Sequence, residues 1–189
     1  METAQQNTNQ QYDSVIKKCK DIFIKKTADY GTAWRVLRTI SITDQVYIKA
    51  QRIRTIQEKK QQKVEDDIAA EFMGIINYAV IGLIQMDLPE EGPEELSVEE
   101  VSVWYDKKIS IARALMQEKN HDYGEAWRSM SQESFTDLIL MKLQRMRQII
   151  SNEGKTIMSE GLDANYTDII NYAVFALILA DEKNNNQNL

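Results

Sequence analysis

Lys119-Asn120-His121-Asp122-Tyr123-Gly124-Glu125-Ala126-Trp127-Arg128 decides how this chain folds, because it is already written once, as Lys26-Thr27-Ala28-Asp29-Tyr30-Gly31-Thr32-Ala33-Trp34-Arg35. The Asp-Tyr-Gly and Ala-Trp-Arg runs stand 93 positions apart. The same spacing relates Tyr12-Asp13 to Tyr105-Asp106, Thr43-Asp44 to Thr136-Asp137, and Lys49, Arg52 and Arg54 to Lys142, Arg145 and Arg147. One inserted residue later, Ile75-Ile76-Asn77-Tyr78-Ala79-Val80 returns as Ile169-Ile170-Asn171-Tyr172-Ala173-Val174, at a spacing of 94. Matches held in register over this much of the chain mark a duplication, and a duplicated unit is a structural unit.

Each copy reads as helices, since its apolar residues recur at helical spacing and no alternating run with hairpin chemistry occurs. In the second copy the helices run from about Val98 to Asn120, from Ser134 or Thr136 (either suited to N-cap the helix) to about Ile150, and from Ser159 or Gly161 to about Ala180. Their counterparts lie near Tyr12 to Ala28, Thr43 to Gln61 and Val64 to Met86. The expected fold is all-α: a helical bundle in which two tandem three-helix repeats pair about a pseudo-twofold, doing in one chain what a single copy would do as a dimer. The repeats span residues 12–86 and 101–180, joined by an acidic linker, 87–100, that carries Pro89 and Pro93 and reads as a solvated spacer. Residues 1–11 and 181–189 are polar and rich in Gln and Asn, so both read as disordered tails.

With 189 residues, 43% of them hydrophobic, the chain can bury a sizeable core, and it reads as a soluble cytoplasmic protein. Its longest apolar run, Tyr172 to Ala180, is far shorter than the roughly 20 residues that span a bilayer, so no membrane partner is expected. One cysteine, Cys19, and one histidine, His121, exclude an intrachain disulfide and any multi-Cys or multi-His metal site. The net charge of -6 argues against nonspecific nucleic-acid binding but not against a small nucleotide held by a few converging cations. A monomer acting as a pseudo-dimer, or a homodimer, fits the duplication.

Two clusters are candidates for chemistry. Glu160, Asp163 and Asp168 fall within two and a half turns of the last helix, with Asn171 one turn further on, beside a broad apolar face. Carboxylates so spaced suit magnesium, which takes oxygen ligands and keeps waters and substrate phosphates. The structural alternative sets Asp163 at the helix N-terminus and pairs Asp168 with Arg145 or Lys142. Lys142 and Arg145, like Lys49 and Arg52, border the apolar stripe Ile139, Leu143, Met146, Ile150 and its counterpart, facing those acids. The second cluster is Lys119, Asp122, Tyr123, Gly124 and Trp127, in which the aromatics offer a stacking surface and Asp122 can accept from a sugar or base edge. Its alternative is a helical corner with Trp127 in the core. His121 is matched by Ala28, so the duplication gives it no support as a base.

The order Lys-x-x-Asp-Tyr-Gly, then Lys-x-x-Arg, then Asp168-Ile169-Ile170-Asn171-Tyr172-Ala173 resembles the nucleotide-modification-associated domain family, a domain-of-unknown-function group of bacteria and phages. The resemblance covers both copies. More distantly, the acids look like those of the MazG-like all-α nucleotide pyrophosphohydrolases, although Glu160-x-x-Asp163 fits only half of that pattern and Lys142 and Arg145 stand where that family has acids. These resemblances imply a nucleotide or modified-nucleotide handling protein, in its sharpest form a magnesium-dependent nucleoside triphosphate pyrophosphohydrolase. In that form Glu160, Asp163 and Asp168 hold the metal, with Asp168 or Glu160 as catalytic base. Lys142 and Arg145 bind phosphates, Asn171 orients ligand or water, Asp122, Tyr123 or Trp127 contacts the base, and the first copy lends Lys49 and Arg52. The reading from a different class is a noncatalytic interaction module whose charges are structural ion pairs.

Overall fold

The computed structural model describes residues 4–60, 67–158 and 160–187, in which every regular element is helical. The first repeat comprises α1 (Ala4–Tyr30), α2 (Thr39–Lys59) and α3 (Ile68–Asp87). The second comprises α4 (Val98–Tyr123), α5 (Gln132–Ser151) and α6 (Leu162–Gln187). In each, a 3₁₀ turn (Ala33–Val36 or Ala126–Ser129) separates the first two helices. Side-chain caps set several starts: Ser97 and Glu100 close a capping box on α4, Asp67 accepts the Ala70 amide at 2.7 Å, and Ser131 accepts the Ser134 amide at 3.2 Å. The cap of α5 is therefore Ser131, and neither Ser134 nor Thr136, because Ser134 supplies the amide being capped. The helix ends expected at Gln61, Val64 and Ser159 lie outside the described residues.

α3 and α6 pack against each other, α2 packs on α3, α5 on α6 and α2 on α5, while α1 and α4 pair and cover the α3 and α6 surfaces. Exchanging the repeats maps this list onto itself. The polar contacts between repeats obey the same exchange. Tyr105 OH donates to Asn77 Oδ1 at 2.9 Å and Tyr12 OH to Asn171 Oδ1 at 2.8 Å, while each asparagine Nδ2 donates at 3.0 Å to its own first helix, to the Cys19 and Ala112 carbonyls. Lys20 pairs with Asp106 and Arg113 with Asp13, both at 2.7 Å. Arg54 reaches Asp137 at 3.8 Å and Arg147 reaches Asp44 at 2.8 Å. Residue i meeting j while the copy of j meets the copy of i is the mark of a twofold interface, here inside one chain. Burial pushes both phenols, Tyr12 and Tyr105, well above their ordinary range, so they remain neutral donors, and it pushes the Cys19 thiol up to about 12, leaving that cysteine an inert core residue.

The described parts of the ends, 4–11 and 181–187, and the linker depart from expectation for one physical reason, while residues 1–3 and 188–189 lie outside the described residues. The segment preceding each repeat's Tyr-Asp pair docks on the other repeat's Trp corner. Arg128 donates to Glu125, Glu182, Thr8 and Gln11, so the N-terminal stretch is helical from Ala4 with Thr8 fully buried, and α6 continues to Gln187. Its counterpart Arg35 donates to the Pro93 and Pro89 carbonyls, and Thr32 accepts from the Leu96 amide at 3.0 Å while donating to the Glu94 carbonyl at 2.8 Å. The linker is thus fastened to the first repeat rather than free in solvent. On length and composition α3 could cross a bilayer, a feature the apolar-run count passes over, yet it is packed by α2, α4 and α6.

The two repeats meet tightly at Gly82, where a methyl group would fall into the ring of Tyr166, itself fully buried and 3.3 Å from Thr43 Oγ1. Gly82→Ala is expected to destabilise the fold by about 1–3 kcal/mol through overpacking, despite the better helix propensity of alanine. A urea midpoint equal to or above that of the wild type would contradict this packing.

Candidate functional site

In the second repeat the expected acid trio does not assemble. Glu160 and Asp163 are exposed, and Asp168, five residues beyond Asp163, is turned to another side of α6 and buried. Its Oδ1 accepts from Lys119 Nζ at 2.7 Å and its Oδ2 pairs with Lys142 Nζ at 2.6 Å. Among the described residues no three His, Cys, Asp or Glu side chains converge to hold a metal. The donor set therefore does not fit a protein-held magnesium, and Asp168 is not free to act as a base. Burial alone would raise the Asp168 carboxyl, but the hydrogen bonds and charges of the two lysines outweigh it and hold it below the usual carboxylate range. Burial likewise pulls Lys119 down, and its bond to Asp168 more than reverses that.

Arg145, placed beside Asp168 by the spacing on α5, is exposed; the lysine one turn earlier, Lys142, takes the carboxylate because it lies on the buried side. Asn171 is bound to Tyr12 and to the Ala112 carbonyl, so it orients a helix rather than a ligand. Asp122 and Tyr123 stand at the surface, while Trp127 is buried, stacked on Phe175 with ring centres 4.1 Å apart and planes 7° apart. The core stripe of α5 ends on Ile149, not Ile150. Lys142, Arg145 and Glu160 do share an open groove with Asn165, whose buried Oδ1 has no partner among the described residues.

The first repeat is arranged differently. Gly74 stands where the second repeat has Asp168, and Ile81 where it has Phe175. Lys49 and Arg52 instead both bind Glu71, one turn earlier on α3, with Lys49 Nζ at 3.3 Å. The space so left is a cavity of about 590 Å³ whose lining includes Lys26, Tyr30, Trp34, Lys49, Glu71 and Gly74. That volume lies within the range of small-molecule sites. Lys26 has no ion-pair partner among the described residues, unlike its copy Lys119, and the buried Trp34 Nε1 has no acceptor among them, a feature it shares with Trp127. In both copies the Trp of the duplicated Lys, Tyr, Gly, Trp set is buried and its Lys and Tyr are exposed, but in the first copy the whole set lines a cavity. The sequence-level signal for it is an absence: a glycine and a smaller apolar residue at two positions of one copy.

Comparison with known proteins agrees with the duplication. The family described as nucleotide modification associated domain 1 matches twice, at residues 26–86 and 119–179, each match opening on the lysine of the Lys-x-x-Asp-Tyr-Gly run. No curated protein and no solved structure matches the chain.

Proposed function

Because the chain belongs to the nucleotide modification associated domain 1 family and carries the domain twice, we propose that it handles a nucleotide or modified nucleotide, and that the first repeat does the binding. The observation that carries this reading is the cavity of about 590 Å³ beside Trp34, with Lys26 at its edge and uncommitted to any described carboxylate. An aromatic wall and an available ammonium suit a planar base bearing phosphate, even on an acidic chain. The second repeat acts as scaffold. Magnesium, in this reading, arrives with the phosphates of a triphosphate, and no hydrolytic step is assigned to it.

The competing reading, a noncatalytic module, draws support from Asp168, which is paired with both Lys119 and Lys142. Thermal shift separates the two. Canonical and modified nucleoside triphosphates, with and without magnesium, are expected to stabilise the wild type, by about 2.7 kcal/mol at a hundredfold excess over Kd. At this chain length that is a rise of roughly 5–10 °C. Lys26→Ala should keep its melting temperature, since Lys26 is exposed, and lose most of the response. No response to any nucleotide in the wild type would leave the interaction module standing and sink the binding reading; release of pyrophosphate in the same samples would add catalysis to it.

A further inference from the structure

The two repeats share one framework but differ in what fills it. In the second, a carboxylate sits between two lysines, Lys119 at 2.7 Å and Lys142 at 2.6 Å, and two turns along the same helix a phenyl ring lies flat on Trp127. In the first, Lys26, Lys49 and Trp34 hold the equivalent positions, but the side chains that would supply the carboxylate and the ring are missing, because the residues are Gly74 and Ile81. Both line the cavity. We infer that Asp168 and Phe175 are built-in stand-ins for the two ends of a ligand, and that the first repeat binds a nucleoside phosphate with its phosphate between Lys26 and Lys49 and its base against Trp34. This rests on the nucleotide reading for the identity of the ring, not for the anion seat.

The geometry sets the ligand class. Seven residues of helix separate the two positions, about 10 Å of rise, so a free base or a lone phosphate reaches only one end and a nucleoside phosphate reaches both. Lys49 now lies across Gly74, its Cε 2.9 Å from where a Cβ would stand, and it pairs with Glu71. A phosphate entering the seat draws Lys49 from Glu71, which keeps Arg52 as its partner, so the exchange strands no carboxylate. The charge then matches the second repeat, where one anion is shared by two ammonium groups.

Two substitutions copy the second repeat into the first. Gly74→Asp supplies the carboxylate in a helix whose backbone accepts a side chain there, the nearest atoms belonging to the flexible end of Lys49. Ile81→Phe supplies the ring. Isothermal titration with the four deoxynucleoside triphosphates, their nucleosides and inorganic pyrophosphate reads both ends of the site. Gly74→Asp is expected to melt no lower than the wild type and to bind triphosphate and pyrophosphate at least tenfold more weakly. Ile81→Phe is expected to weaken triphosphate at least tenfold and leave pyrophosphate within twofold. Lys26→Gln, at an exposed position, repeats the loss of both phosphate ligands should Gly74→Asp fold poorly. Triphosphate binding at wild-type strength in both Gly74→Asp and Lys26→Gln overturns the seat, and in Ile81→Phe it overturns the ring slot. Pyrophosphate binding with no nucleotide binding in the wild type keeps the seat and discards the nucleotide reading, whereas no binding of any of these ligands discards both.

Discussion

Asp168→Asn is expected to cost about 3 kcal/mol of stability, the lower end of what breaking a buried ion pair costs. The low end applies because the two lysines fare differently once the charge is gone. Lys119, with its side chain 47% exposed, turns to water, but Lys142, at 8%, is left as a buried cation without its anion. The melting temperature should fall by roughly 6–12 °C. The pH dependence follows from the directions of the two shifts. A carboxyl held below its unfolded value stabilises the fold fully above about pH 4, and that stabilisation fades as pH falls through the folded value. A lysine held above its unfolded value stabilises fully below about pH 10.4, and that part fades as pH rises through the folded value. The gap between wild type and Asp168→Asn should therefore be widest between these limits and close towards either extreme. A loss below about 1 kcal/mol at pH 7 would show that the pair is not the internal strut described above. Glu71→Gln, whose partners Lys49 and Arg52 are 28% and 25% exposed, should cost less, about 1–2 kcal/mol.

Asn171→Leu and Asn77→Leu should be equally severe, at about 2–4 kcal/mol each. Either change removes two buried hydrogen bonds and leaves a tyrosine hydroxyl unpaired, while the Cys19 or Ala112 carbonyl keeps only its bond within the helix. The hydroxyls have no route to water, since Tyr12 and Tyr105 are fully buried. The decisive measurement is a double-mutant cycle. Once Asn171 is leucine, Tyr12→Phe should cost almost nothing, because the hydroxyl it removes is already stranded, whereas alone it should cost about 1–3 kcal/mol. Strict additivity in urea unfolding would rule out a bond between the two repeats at this point. The matched cycle of Tyr105 with Asn77 should return the same coupling energy, because the contact is the same one seen from the other repeat.

Reading the sequence reached the architecture and stopped short of the site, for reasons that particular residues make plain. A spacing of 93 shows that Tyr12 and Tyr105 are copies, and with 94 that Asn77 and Asn171 are, but not that each tyrosine is spent on the other copy's asparagine. Asn171 therefore looked available for a ligand. The one-dimensional pattern offers Asp168 both Lys142 and Arg145 as partners, and it cannot show that α5 turns Lys142 inward or that Lys119 arrives from α4. The polar composition of residues 1–11 is that of a tail, and it takes contacts from across the fold, Arg128 and Glu125 among them, to hold Thr8. The cavity leaves the faintest trace in the sequence, because it opens where a glycine and an isoleucine, Gly74 and Ile81, replace the larger Asp168 and Phe175.

The fastened linker between Asp87 and Val98 has a consequence for heredity. A dimer of single repeats is encoded by one gene segment, so any substitution appears in both halves at once. A change that seals one pocket seals both, and a change that opens one weakens both. Here the halves are encoded separately yet remain obliged to pair, so selection can act on position 74 without touching position 168. Aspartate can be kept where rigidity is wanted and glycine where access is wanted, an arrangement that no symmetric dimer of one repeat can inherit.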